Sequence, residues 1–175
     1  MSEISNREKK RPKVLVVLGS DSDYNVMKDC ISLLSEFDIE FECEVCSAHR
    51  TPERSRELAK QADKKGYGCI IAAAGKAAHL PGVIAAYTTL PVIGVPIKSD
   101  ALDGMDALLA IAQMPPGIPV ATVAINGSTN AAVLAAQILS SKHKVLKDKL
   151  KAYKLGLADK VAKKNAKLQE VIKNG

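Results

Sequence analysis

The sequence predicts a three-layer α/β/α sandwich, flavodoxin-like or Rossmann-like, around a parallel sheet of about five strands. Short apolar runs of strand length alternate along the chain with segments in which apolar residues recur at helical spacing. The first run, KVLVVL at residues 13–18, is apolar almost throughout and stops at Gly19-Ser20, as expected for a strand buried on both faces. Strands separated by helices predict parallel, right-handed crossovers.

The remaining elements follow the same alternation. Helical spacing predicts a helix over about 23–37, and the next strand is expected near 40–46. A helix that begins at Pro52, a residue suited to the first turn, should end near Gly66, where glycine can take a left-handed conformation. The later strands are expected near 68–74, 92–95 and 120–125, and the later helices after residue 82, at 105–113 and from about 129.

The length of 175 residues suits one sizeable core rather than two domains. We expect a polar N-terminal extension at 1–12, a catalytic α/β domain at 13–141 and a basic amphipathic helix at 142–175. No run approaches the roughly 18 apolar residues that a membrane span requires, and residues 1–12 do not resemble a secretion signal. We therefore expect a cytoplasmic protein with no membrane partner.

The net charge of +6 is concentrated at the C-terminus. Residues 142–175 hold eleven lysines against three acidic residues, a net +8, which leaves −2 for the rest of the chain. Because the main domain is almost neutral and only 3% of residues are aromatic, we expect no nucleic-acid partner.

The C-terminal segment carries an apolar stripe at helical spacing, made of Leu146, Leu150, Tyr153, Leu157, Val161, Leu168 and Ile172. A stripe of this length must pack against something. It can fold back on its own sheet, but a core helix already precedes it, so we expect it to pack on a neighbouring subunit. The lysines between these positions are expected to form a solvated face.

One Cys-x-x-Cys pair, Cys43 and Cys46, raises the question of redox or metal chemistry. It lies in a predicted strand, where residues three apart point to opposite faces, and no second pair completes a zinc site. We interpret both as ordinary thiols. No set of side chains has metal-ligand spacing, and we predict neither a metal nor an organic cofactor.

Ligands of parallel sheets bind beyond the carboxyl ends of the strands, which selects the turns after each predicted strand. The first turn, 19–23, combines a glycine with Ser20, Ser22 and free backbone N–H groups, a natural phosphate site. Asp21 and Asp23 would repel the same anion, so one of them should cap the helix or face sugar hydroxyls. The alternative is that these residues serve only as helix caps.

The second turn contains Ser47, His49 and Arg50. The guanidinium of Arg50 suits a phosphate, and imidazole can both give and take a proton near neutral pH, which makes His49 a candidate general acid and base. The alternative for His49 is an ordinary surface residue.

The third turn has small residues that would let the backbone approach a flat ligand. Its candidate residues are Gly75, Lys76, Ala77, Ala78, His79 and Leu80. His79 is a candidate for orienting the ligand, with capping of the following helix as the alternative.

The ordered motifs GSDSD, SAHRTP, GKAAHLPG, LPVIGVP, ALDGMDALL, QMPPGIPVATVAI and STNAA resemble the N5-carboxyaminoimidazole ribonucleotide mutase family over about residues 14–139. The resemblance implies a step of purine biosynthesis in which a carboxyl group leaves the exocyclic nitrogen of the substrate as CO₂, stays trapped, and is attacked by C4 of the ring. His49 would be the general acid and base. Such enzymes are commonly homo-octamers with active sites between subunits, and the basic C-terminal helix is consistent with that assembly.

Residue by residue, the resemblance implies that Ser20, Ser22, Ser47 and Arg50 bind the phosphate of the nucleotide and that Asp23 holds the ribose hydroxyls. The third turn would form the pocket for the imidazole and the carboxylate. Its His-Leu-Pro-Gly form resembles mutases rather than the carboxylases that fix free CO₂. Direct carboxylation of aminoimidazole ribonucleotide and a non-catalytic nucleotide-binding role are the two alternatives.

The third turn departs from the usual Gly-Ala-Gly-Gly-Ala-Ala-His of the family, because Ala73 and Lys76 replace two glycines. If position 76 requires a positive φ, lysine costs on the order of 1 kcal/mol or more there. The lysine would then either point away from the substrate or place a cation near the migrating carboxylate.

Overall fold

The structure, a computed structural model, describes residues 11–174, so most of the predicted N-terminal extension lies outside the described residues. The strands are β1 (Lys13–Leu18), β2 (Glu40–Val45), β3 (Cys69–Gly75), β4 (Val92–Ile97) and β5 (Ala121–Thr122). The helices are α1 (Tyr24–Glu36), α2 (Pro52–Ala62), α3 (Leu80–Ala85), α4 (Met105–Ala112), α5 (Ser128–Ser140) and α6 (Lys144–Asn174). A 3-10 helix, Asp21–Asp23, precedes α1.

The five strands form one parallel sheet in the order β2-β1-β3-β4-β5. This is the flavodoxin-like order, and it confirms the predicted fold class. The chain moves from β1 outward to β2 and then back across to β3. The order therefore reverses between β1 and β3, where the carboxyl ends of the strands leave a crevice for a ligand.

The core has two layers, one on each face of the sheet, because successive side chains of a strand point to opposite faces. In β1, Val14, Val16 and Leu18 join one buried cluster with α1 and α5, whereas Leu15 and Val17 join a second cluster with α2, α3 and α4. Right-handed crossovers that run in opposite directions along a sheet produce this division of the helices. Burying each of these side chains contributes roughly 1.5–3 kcal/mol.

Several predicted boundaries differ from the structure by two residues or more. The helix that begins at Pro52 ends at Ala62, before the turn in which Gly66 has φ +82°. β4 continues to Ile97, two residues beyond its predicted end. β5, at one edge of the sheet, is only two residues long, and the chain turns soon after it at Asn126, which has φ +56°.

The predicted C-terminal helix is present, and its apolar stripe divides into two parts. Leu146 is fully buried in the core of its own chain, and Leu150 and Tyr153 pack against the same cluster. The ring of Tyr153 meets Phe37 edge to face, with centroids 5.5 Å apart, and the Nζ of Lys149 pairs with the carboxylate of Asp38. The prediction of a partner subunit therefore concerns only the later residues of the stripe.

The second part of the stripe is exposed. Leu157 is 44% exposed, and three later residues are more so: Val161, Leu168 and Ile172. None of the helices within residues 11–174 combines the length and apolarity required to span a membrane.

Candidate active site

A cavity of about 680 Å³ opens at the carboxyl edge of the sheet, over the point where the strand order reverses. Loops after β1, β2, β3 and β4 form its walls. The cavity is lined by Gly19, Ser20, Ser22, Asp23, Val26, Ser47, Ala48, His49, Arg50, Ala74, Gly75, Lys76, Ala77, His79, Leu80, Ile97, Lys98, Ser99 and Asp100. Eleven of the twelve candidate residues are therefore brought together, in the place that the fold predicts.

The loop after β1 is organised by hydrogen bonds among its own polar groups. The Ser20 hydroxyl donates to the Asp21 carboxylate at 3.0 Å, and the Ser22 hydroxyl donates to Ser20 Oγ at 2.9 Å. Asp23 Oδ2 accepts the Ser20 backbone N–H at 3.0 Å, and the two residues form a capping box. Both aspartates therefore turn back onto the loop, since Asp21 Oδ1 also accepts the Ser22 backbone N–H at 3.0 Å.

The Asp23 side chain is 6% exposed. Desolvation by burial raises the pKa of its carboxyl group, the backbone hydrogen bonds from Ser20 and Gly19 lower it, and the neighbouring charge of Asp21 raises it further. The net effect is a raised pKa, so the site holds a carboxylate whose charge is costly to bury. A ligand hydroxyl that donates to this carboxylate would offset part of that cost.

The loop after β2 is closed by Thr51. Its hydroxyl donates to the Ser47 carbonyl at 2.9 Å and accepts the Ser47 backbone N–H at 3.1 Å. Within this closed turn, Ser47 Oγ accepts the Arg50 backbone N–H at 3.3 Å and lies 3.5 Å from Arg50 Nε. Ser47 and Arg50 therefore present their polar groups from one short turn, with His49 between them in sequence.

His49 and His79 meet in the cavity although 30 residues separate them in the sequence. His49 Nε2 lies 2.8 Å from His79 Nδ1, and the rings are edge to face with centroids 5.0 Å apart. A contact of this length is a hydrogen bond in which one nitrogen carries the proton and the other accepts it. The sequence identified both residues but not their direct contact, because nothing in sequence spacing reveals a contact between two loops.

The loop after β3 begins with a residue in the left-handed region of the backbone. Lys76 has φ +54°, and its side chain is exposed at the cavity. Two short backbone hydrogen bonds follow, from Ala78 N–H to the Lys76 carbonyl and from His79 N–H to the Ala77 carbonyl, both 2.8 Å. This tight turn aims His79 at His49. Lysine in the left-handed region costs roughly 1–2 kcal/mol.

Two residues of this loop have mainly structural roles. Ala78, predicted to line the pocket, is instead 1% exposed and lies in the core cluster beneath the loop, because the turn points its methyl group inward. Gly75 pairs with Ile97, and a Cβ at this glycine would lie 3.1 Å from the Ile97 carbonyl oxygen. Glycine at 75 therefore permits the close approach of β3 and β4 at the cavity floor.

The sequence predicted the turn after β4 as part of the site but did not identify which of its residues line the cavity. Lys98, Ser99 and Asp100 line the cavity, and the Lys98 Nζ pairs with Asp103 at 3.0 Å. The Lys98 backbone N–H donates to Asn126 Oδ1 at 2.9 Å, so the turn after β5 shapes this wall from behind. The available signal was the polar run KSD directly after an apolar strand, but the strand was predicted to end two residues too early.

The chemistry available in the cavity is that of imidazole, guanidinium, ammonium, hydroxyl and carboxylate groups. No group of three or more His, Cys, Asp or Glu side chains within residues 11–174 has the geometry to hold a metal ion. Cys43 lies in β2 and is exposed, whereas Cys46 is buried just beyond the end of β2. The cavity can hold an anion at the turns after β1 and β2 and can move a proton at the histidine pair.

A family model described as AIR carboxylase matches residues 13–160. The chain belongs to the AIR carboxylase family. It is 59% identical over 143 residues to a protein of Pyrococcus abyssi named N5-carboxyaminoimidazole ribonucleotide mutase, covering 82% of each chain. It is 52% identical over 168 residues to the protein of the same name from Pyrococcus horikoshii, covering 96% of this chain and 95% of that one.

A solved structure agrees with the sequence relatives. The crystal structure of Treponema denticola PurE2-S38D superposes with a TM-score of 0.83 at 31% identity, covering 91% of this chain and 99% of that chain. The sheet and helices of this chain thus share the fold of that solved structure.

Proposed function

We propose that the chain converts N5-carboxyaminoimidazole ribonucleotide to 4-carboxy-5-aminoimidazole ribonucleotide, a step of purine biosynthesis. Relatives at 50–59% identity carry the name of this mutase. The observation that carries the mechanism is the contact between His49 and His79 at 2.8 Å, inside the cavity where the sheet order reverses. It provides a proton donor and acceptor at the place where a ring would bind.

In the proposed complex, the phosphate lies at the turns that contain Ser20, Ser22, Ser47 and Arg50. Arg50 supplies a planar set of donors, and the serines supply hydroxyls. Asp23 accepts hydrogen bonds from the ribose hydroxyls. The aminoimidazole lies against Gly75, Ala77 and Leu80, beside the histidine pair.

The chemistry requires two proton transfers, one from His49 to the exocyclic nitrogen and one from C4 of the ring to His49. The bond between the exocyclic nitrogen and the carboxyl carbon breaks, CO₂ leaves, and protonated His49 gives its proton to that nitrogen. C4 of the ring then forms a bond to the retained CO₂, and neutral His49 removes the C4 proton. His49 ends in the form in which it began, so no cofactor or net proton is consumed.

Two features of the cavity support this scheme. The His79 contact at 2.8 Å holds the His49 ring in a fixed orientation before the ligand binds. Retention of CO₂ beside C4 replaces a dilute dissolved reactant by a held one, which is an advantage in effective concentration.

The decisive test compares N5-carboxyaminoimidazole ribonucleotide with aminoimidazole ribonucleotide plus bicarbonate as substrates of the purified protein. We expect rapid product formation from the first substrate alone, and its loss in His49→Asn. Product from the second substrate would establish direct carboxylation instead. Nucleotide binding without product from either would refute the enzyme assignment and favour a binding role.

A homo-octamer is part of the proposal. It is supported by the exposed apolar residues of α6 beyond Tyr153, since solvent exposure of Leu157, Val161, Leu168 and Ile172 leaves apolar surface uncovered. A neighbouring subunit would cover them. Light scattering of the full chain should give a mass close to eight times 18.6 kDa, and a monomer would refute this assembly.

A further inference from the structure

Within residues 11–174, four residues other than glycine have a positive φ. Lys76 differs from the other three in residue type. The others are Asp38, Asp103 and Asn126. Aspartate and asparagine enter the left-handed region readily because their short polar side chains can bond locally, whereas lysine has no such group. A residue held in an unfavourable conformation beside a cavity points to a role of its side chain.

The side chains of those three residues have partners that account for them. Asp38 pairs with Lys149, Asp103 pairs with Lys98, and Asn126 accepts the Lys98 backbone N–H. By contrast, no ion pair between described side chains includes Lys76, which is exposed and lines the cavity. Its ammonium group is thus available to a ligand.

The position of Lys76 in the fold separates it from Arg50, the cation proposed to bind the phosphate. Arg50 follows β2 and Lys76 follows β3, and β1 lies between these strands. Two strand spacings place the strand ends about 10 Å apart. Arg50 and Lys76 therefore approach the cavity from strand ends two positions apart in the sheet, a pattern suited to a ligand with two separated anionic groups.

The remaining charges of the cavity increase the need for a cation at Lys76. Asp23 and Asp100 line the same space, and Lys98 is already paired with Asp103. A carboxylate on the imidazole ring would meet an unfavourable field from these acids without a nearby positive charge. An uncarboxylated ring has no such requirement.

We propose that Lys76 determines specificity for carboxylated nucleotides, its ammonium group pairing with the carboxylate that 4-carboxy-5-aminoimidazole ribonucleotide has and aminoimidazole ribonucleotide lacks. This inference rests on the proposed function and deepens it. Lys76 takes no part in proton transfer. It lowers the free energy of carboxylate-bearing states relative to the state in which CO₂ has left the ring.

Calorimetric titration of both nucleotides into four proteins tests the inference. The proteins are the wild type, Lys76→Gln, Lys76→Arg and a control, Lys64→Gln, which removes a lysine that does not line this cavity. We expect Lys76→Gln to weaken binding of the carboxylated nucleotide about tenfold, as for a lost charge-assisted hydrogen bond. Binding of aminoimidazole ribonucleotide should change less than about twofold, and Lys76→Arg should restore most of the discrimination.

Equal weakening of both nucleotides in Lys76→Gln would overturn the inference, since it would indicate a general electrostatic effect. So would unchanged binding of both. Thermal melting of each variant shows whether the protein is still folded. Lys76→Gly provides a second uncharged variant, in which glycine adopts the positive φ without strain. If the wild type neither binds nor converts these nucleotides, the proposed function fails. If it converts them and Lys76→Gln discriminates normally, only the role of Lys76 fails.

Discussion

His49 and His79 share one hydrogen bond across the cavity, with Nε2 of the first 2.8 Å from Nδ1 of the second. Only one proton can lie between these two atoms, so the tautomer of each ring depends on the other. A protonated His49 can donate to His79, but two protonated rings would oppose each other. The hydrogen bonding of His49 is therefore coupled to that of His79 through the proton between the two facing nitrogens.

The histidine pair should act as a unit in catalysis. We expect His49→Asn to lower turnover by about 10²–10⁴, because it removes proton transfer while keeping size and polarity. His79→Ala should cost less, because it removes only the group that orients His49. The double variant should be little slower than His49→Asn alone, since residues that act together are not additive.

Single-turnover rates of the four proteins, with nucleotide affinity measured on each, check this prediction. Independent effects that multiply in the double variant would contradict it. Near-normal turnover in His49→Asn would contradict the assignment of His49 itself.

Lys76→Gly should stabilise the fold. Glycine relieves roughly 1–2 kcal/mol of left-handed strain, and its greater freedom in the unfolded chain offsets roughly 0.5–1 kcal/mol. The expected net gain in the free energy of unfolding is about 0.5–1 kcal/mol. Lys76→Ala is the matched control, because alanine keeps the Cβ that causes the strain. Denaturation at one protein concentration measures all three, and equal stability of the glycine and alanine variants would show that the backbone at 76 is not strained.

The fold was predictable because its signals are local. The apolar run of β1, the proline at the start of α2 and the alternation of strands with helices each depend on a few neighbouring residues. The carboxyl-edge rule then placed the loops after β1, β2 and β3 in one site. Boundaries were less accurate where tertiary contacts decide them: β4 extends to Ile97 because it pairs with β3 up to Gly75.

Some features of the site and of α6 could not be derived from the sequence because they depend on tertiary contacts. The contact of His49 with His79 depends on the tight turn at Ala77, and the burial of Ala78 depends on which way that turn faces. The division of α6 into a packed part and an exposed part depends on the contact of Tyr153 with Phe37, a residue more than a hundred positions away. Helical spacing predicts an apolar stripe but does not indicate where the stripe stops packing on the core of its own chain.

Asp23 should make the stability of the protein depend on pH in a definite direction. Burial raises the pKa of this carboxyl above 3.8, so the native state binds more protons than the unfolded state between that value and the raised one. The contribution of Asp23 to the free energy of unfolding therefore falls as pH rises through this window and stays low above it. Asp23→Asn keeps an acceptor for the Ser20 N–H and removes the titration.

Unfolding by urea at several pH values, on wild type and Asp23→Asn, measures the difference. The wild type should lose stability relative to the variant as pH rises from about 4. A difference that is constant with pH would show that the Asp23 pKa is not raised. Nucleotide affinity should fall in the variant, since a neutral amide is a weaker acceptor for ribose hydroxyls than a carboxylate.

The two halves of α6 should respond differently to the same substitution. Leu146 is 2% exposed, so Leu146→Ala should destabilise the chain by about 2–5 kcal/mol through lost burial and a cavity. Leu168 is 55% exposed, and Leu168→Ala should change the stability of the separated subunit by less than about 0.5 kcal/mol. Denaturation at a protein concentration low enough to separate the subunits measures the stability of both variants. Equal losses would mean that the outer half of α6 packs on its own chain.

Removal of residues 155–175 should reduce the size of the assembly without unfolding the subunit. The cut leaves Leu146, Leu150 and Tyr153 in their contacts with the core and removes the exposed apolar residues beyond them. A cut at residue 142 would instead remove part of the core itself, and unfolding would then hide any effect on assembly. Sedimentation velocity gives the size of each species, and circular dichroism shows whether the subunit is still folded. An unchanged mass after the shorter cut would show that the outer half of α6 does not hold the subunits together, because its apolar side chains would then have no partner in the assembly.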